Sequence, residues 1–306
     1  NFMHSNTSRY ISNLNDENLA IKQYISDNHF FQRLNNSLNS IYLHKSIEYI
    51  NLSLRYILKF HSSGEFEKLK DINHNNFKNF YEINVKDKTI FIFLNDNFIK
   101  EDLKYAYHPD TNNVEVKLYD QISSHDLNLI KSSFELVLNL NKRLYYYLDN
   151  YVNNIVPLNI ETDSKGFNIS FTSSNFQKTT FVTFTNKILL SESLLHESIH
   201  NFLNIIELTN KIYVDISTRI KTPLRPDPRP IRGFYHQLLV LKILNSFYIQ
   251  LNDSQVTDEI IIKNKSNIEK RTKLFYEDFE KAKLIFFENN KLFTQSAFDI
   301  FEQIDA

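Results

Sequence analysis

Apolar positions along the chain alternate between two periods, and the change of period divides it into elements. In the first 80 residues they recur at Ile21, Tyr24 and Ile25, then at Leu38, Ile41 and Tyr42, and again at Ile47, Ile50 and Leu54. Spacings of three and four predict amphipathic helices. Ser62-Ser63-Gly64 reads as a break and Phe66–Tyr81 as a further helix. The period then shortens. Lys88–Leu94 (KTIFIFL) is an apolar run rich in β-branched and aromatic residues and predicts a strand, with Val114–Leu118 as its partner. A long helix is expected from Ser124 to about Val152, with Asp126 favourable in its first turn.

Phe167–Phe171 and Thr179–Phe184 alternate with period two around a polar loop and predict a β-hairpin. A helix follows from near Ser191, the expected N-cap, and two more cover Ile231 to about Leu251 and Ser266 to about Phe287. The expected class is α+β, mostly helical, with a small antiparallel sheet packed beside a central helix. Residues 1–160 form one region, helical with short strands, and residues 161–306 a second, or the two make one continuous domain.

Composition narrows the function. Among 306 residues, 35 basic side chains balance 36 acidic ones, which removes the electrostatic footprint of a nucleic-acid binder. Three glycines cannot build the clustered phosphate cradles of nucleotide-binding α/β folds. With no cysteine there is neither a disulfide framework nor a thiolate metal site, as expected of a cytoplasmic protein. No apolar run reaches the roughly 18 residues of a membrane helix, so no membrane partner is expected.

The sharpest chemistry lies in Leu194-Leu195-His196-Glu197-Ser198-Ile199-His200-Asn201-Phe202-Leu203. Histidines at i and i+4 share one helix face and can bind one metal ion without bending the backbone. Glu197 sits about 100° round the helix, where zinc peptidases place the general base for a metal-bound water. Leu194, Leu195, Ile199, Phe202 and Leu203 would bury both flanks of this helix, and buried imidazoles need partners.

A third ligand should lie downstream. The glycine and histidine of the metzincin extension are replaced by Leu203 and Ile206, and residues 208–258 contain no glutamate. Glu207 is on the same helix, so a thermolysin-like site would have to use Glu259 or later. His236 is the single histidine after His200, and His196, His200 and His236 make the simplest facial set, with open positions for substrate or cosubstrate. Four of the six prolines crowd into Lys221-Thr-Pro-Leu-Arg-Pro-Asp-Pro-Arg-Pro230, just ahead of His236. This stiff arm presents Arg225, Asp227, Arg229 and Arg232, and an arginine fork matches a carboxylate in two parallel hydrogen bonds. Asp227 would orient one of the arginines.

The two motifs together, LLHESIHNFL and R-P-D-P-R-P-I-R-G-F-Y-H, resemble the HExxH-type, 2-oxoglutarate-dependent peptide β-hydroxylases that tailor ribosomally made peptides. The resemblance covers roughly residues 167–250. It implies non-haem Fe(II) on His196, His200 and His236, with O2 and 2-oxoglutarate as cosubstrates, a carboxylate of the latter held by Arg225 or Arg229. The expected substrate is a residue of a precursor peptide, held or recognised by the N-terminal region. Under this resemblance Glu197 no longer activates water but orients a ligand or hydrogen-bonds beside the iron. Leu224 departs from the pattern, where an aromatic residue, often tryptophan, is expected, and this bears on the pocket wall more than on the metal. The alternative is a Zn(II) metallopeptidase with Glu197 as its base.

Overall fold

A computed structural model of the chain describes residues 80–86, 88–94, 115–161, 169–172, 178–207, 210–222, 227–254 and 259–304. All of them belong to one compact unit, Asn79–Ala306. The helices expected before residue 66 lie outside the described residues, and of Phe66–Tyr81 only Phe80 and Tyr81 are described. The class is α+β and mostly helical.

The order is β1 (Phe80–Val85), β2 (Lys88–Phe93), β3 (Glu115–Leu118), α1 (Ser124–Leu140), α2 (Lys142–Tyr151), β4 (Asn154–Glu161), β5 (Ser170–Phe171), β6 (Thr179–Thr183) and α3 (Lys187–Ile206). There follow β7 (Arg219–Ile220), β8 (Arg229–Pro230), α4 (Ile231–Asp253), α5 (Glu259–Lys263), α6 (Lys265–Glu288), a short 3-10 turn and α7 (Gln295–Gln303).

The main sheet runs β1-β2-β4-β6-β5, and β3 also pairs with β4. It is mixed, not antiparallel as expected: β4 lies parallel to both β2 and β6. The hairpin of β5 and β6 forms as predicted, with Ser170 opposite Val182 and Phe171 opposite Phe181. The helix expected to end at Tyr81 gives way to strand there, because β1 pairs antiparallel with β2. The Val114–Leu118 prediction yields β3, but its partner is β4 rather than β2.

Sequence periodicity missed β4, whose Pro157 argues against a central strand. The register explains how the proline is tolerated. One edge of β4 pairs with β6, including Pro157 opposite Val182. On the other edge β2 meets Asn154 and Ile155 while β3 meets Leu158 through Glu161. Pro157 thus falls at the junction between two neighbours, where a missing N–H costs no ladder hydrogen bond. All of β6 and residues 154–158 of β4 are buried, the signature of strands covered on both faces.

The single helix expected over Ser124–Val152 is two. Asn141 ends α1, its N–H reaching Val137, and starts α2, its side chain accepting from Arg143 N at 2.6 Å. Asp126 completes a capping box with Ser123. The central helix α3 begins earlier than predicted: Asn186, not Ser191, is the N-cap, accepting from the backbone of Ile188 and Leu189. Ser191 is fully buried one turn in, donating to the carbonyls of Lys187 and Ser133. Helix α3 packs against α1, α2, α4 and β6, which buries Leu194, Leu195, Ile199 and Leu203 completely. Among the described residues no helix is long and apolar enough to cross a membrane.

Replacing Asn186 by Ala removes both capping hydrogen bonds. Urea denaturation should show a loss of about 1 kcal/mol, while Asn186→Asp, which keeps the acceptor, should stay within a few tenths.

Candidate metal centre

Helix α3 carries His196 and His200, and α4, packed against it, brings His236 to the same place. His200 Nε2 lies 3.1 Å from His196 Nε2, and His200 Nδ1 lies 3.0 Å from His236 Nδ1. Two nitrogens bound to one ion at octahedral or tetrahedral angles stand roughly 2.9–3.4 Å apart, so the His196–His200 pair has the spacing of a metal-binding pair. His200 meets its two neighbours through opposite ring nitrogens. No three His, Asp or Glu side chains among the described residues surround one shared point.

All three imidazoles are held neutral. Burial lowers the pKa of each; at His200 the other two histidines and then Arg232 and Arg229 add to the lowering, while at His236 Glu207 pushes back against it. His196 is the most open, with 40% of its side chain exposed. Neutral imidazole is the form that donates a lone pair to a metal.

Glu197 points away from bulk solvent and is 2% exposed. Its Oε1 accepts from the Ser170 hydroxyl at 2.7 Å and stands 3.9 Å from His196 Nε2, while Oε2 has no protein partner. Burial pushes its pKa up to about 8, against the pull of the Ser170 and Thr172 hydroxyls. The β5–β6 hairpin thus contributes a residue to the site, which sequence reading did not anticipate.

Glu207 is the larger omission. It is the C-cap of α3, and its carboxylate gathers three groups, two from α4 and one from the loop after α3. Oε1 lies 2.8 Å from His236 Nε2 and accepts from the Tyr213 hydroxyl at 2.5 Å, and Oε2 accepts from Arg232 Nε at 2.7 Å. Burial raises its pKa, but these hydrogen bonds outweigh the burial and hold it down at about 2. The Arg–Pro motif held one clue: an arginine fork four residues before His236 calls for a carboxylate, and here the carboxylate is the protein's own.

The rest of the arm divides. Arg229 in β8 donates to Gln237 Oε1 at 2.6 Å, and its guanidinium lies across Gly233, where a Cβ would stand 3.9 Å from Nε. Its charge is felt at His200 and His236. Asp227 is exposed, and Arg225 lies outside the described residues. Arg219 and Ile220 of β7 pair with Pro230 and Arg229 of β8 and fix the base of the arm. Tyr235, next to His236, is core: it is fully buried and donates to Ala297 O at 2.7 Å.

Arg232→Ala takes one charged donor from Glu207 and should cost roughly 1–2 kcal/mol in chemical denaturation. Arg219→Ala, at an exposed position, should stay within about 0.5 kcal/mol. No family model matches the chain, and no curated protein matches it either.

Proposed function

We propose that this protein is a non-haem Fe(II)- and 2-oxoglutarate-dependent oxygenase that hydroxylates the β-carbon of a residue in a ribosomally made precursor peptide. The observation that carries the reading is the meeting of His196, His200 and His236 from two helices, with Arg229 beside them. These three imidazoles would hold the iron, and joining all three on one ion takes a turn of the His200 or His236 ring. Neutral ligands leave the ion its full charge, which suits a dianionic chelating cosubstrate. Arg229 would hold a carboxylate of 2-oxoglutarate, steadied along α4 by Gln237.

When bound, iron and 2-oxoglutarate with O2 supply the oxidation of a C–H bond to an alcohol, the cosubstrate leaving as succinate and CO2. Glu197 sits behind His196 and hydrogen-bonds to Ser170, a place from which it orients a ligand or a bound solvent molecule. The spacing of His196, His200 and Glu197 also suits a zinc peptidase, and one assay separates the two.

The protein is purified without oxygen and given Fe(II) and labelled 2-oxoglutarate, and succinate is measured with and without candidate peptides. Peptide-stimulated succinate and a peptide heavier by one oxygen atom are expected. Backbone cleavage by the zinc-loaded form without 2-oxoglutarate would overturn the oxygenase in favour of the peptidase. His200→Ala should abolish turnover, and Arg229→Ala should raise the 2-oxoglutarate requirement or abolish turnover, whereas a peptidase should be indifferent to loss of Arg229.

A further inference from the structure

We infer that Glu207 is the positioning residue of this centre: by accepting a hydrogen bond from His236 Nε2 it fixes which nitrogen of that imidazole carries hydrogen. A carboxylate between Arg232 and Tyr213 can only accept, so the 2.8 Å contact to His236 requires the proton on His236 Nε2. A neutral imidazole has one N–H, so His236 Nδ1 is a bare lone pair, turned toward His200 Nδ1 3.0 Å away.

The consequence for a metal is specific. His236 offers Nδ1, because Glu207 occupies its other nitrogen. A carboxylate behind a ligating histidine also raises the electron density of the ligand atom. Arg232 and Asn204 lock the carboxylate in turn, Arg232 donating to Asn204 Oδ1 at 2.7 Å. The role toward iron rests on the reading of the three histidines as one metal site, but the tautomer of His236 does not.

The test begins with the full chain, metal-free and labelled with 15N-histidine. Two-bond proton–nitrogen correlation spectra, assigned with His236→Asn, report the tautomer of His236 directly. The wild type should carry hydrogen on Nε2. Glu207→Gln keeps the shape but has one acceptor oxygen, which Arg232 claims. Its amide NH2 then faces His236 and should reverse the tautomer to Nδ1–H. The same variant should bind Co(II) about 10- to 100-fold more weakly.

A merely structural glutamate would leave the tautomer unmoved in Glu207→Gln, and that result overturns the inference, as does a wild-type His236 protonated on Nδ1. Should Glu207→Gln fail to fold, the wild-type spectrum alone decides. A wild type with the expected tautomer but no 2-oxoglutarate-dependent turnover sinks the oxygenase reading and leaves the role of Glu207 standing. Turnover by a chain whose metal-free His236 carries Nδ1–H sinks the role of Glu207 alone.

Discussion

Two polar pins hold α3 and α4 antiparallel and set the register between them. At one end Glu192 of α3 accepts from Tyr248 of α4 and from Arg271 of α6, and the Arg271 Nε donates to the same tyrosine hydroxyl at 2.8 Å. At the other, Glu207 closing α3 takes Arg232 and His236 of α4. Between the pins buried apolar side chains surround the His200–His236 contact, and apolar packing alone tolerates sliding. Buried ion pairs contribute little net stability, since desolvation offsets their attraction, but a shift by one turn would strand both carboxylates. The pins therefore specify one alignment. That alignment puts His200 opposite His236.

The sheet supplies the second coordinate. Asn201, one residue past His200, donates to the carbonyls of Tyr151 and Thr179, which ties α3 to the end of α2 and the start of β6. Because β6 lies between β4 and β5, the short strand β5 is carried to the flank of α3, and Ser170 reaches Glu197. The junction at Pro157 lets one long strand serve two neighbours on one edge. Strain-free placement of β4 thus decides where a hydroxyl meets the helix carrying the histidines.

Local features were legible in the sequence where a single segment decides the outcome. The i, i+4 histidines, the hairpin after residue 167 and the bounds of α4 and α6 follow from periodicity and turn chemistry, which act over a few residues. What escaped depends on partners far along the chain. Pro157 reads as a strand breaker until β2 and β3 are known to share an edge. Glu207 reads only as a glutamate two turns past His200 on the same helix until α4 delivers Arg232 and His236 to it. Asn141 and Asn186 were readable as caps, but long apolar periodicity across Asn141 and a serine-rich start to α3 drew the boundaries elsewhere.

Charge balance bears on the choice between the two chemistries. The imidazoles are neutral, Glu197 is protonated below a pKa of about 8, and Glu207 is already committed to Arg232 and His236. Arg229 and Arg232 add positive charge beside His200, whereas at His236 burial does the lowering and Glu207 works against it. A divalent ion placed there adds charge of the same sign in a partly buried setting, where screening is weak. A bound water or hydroxide returns at most one negative charge, whereas a chelating dicarboxylate returns two. On this balance the proposed oxygenase, whose cation arrives with a dianion, leaves less charge uncompensated than the alternative peptidase.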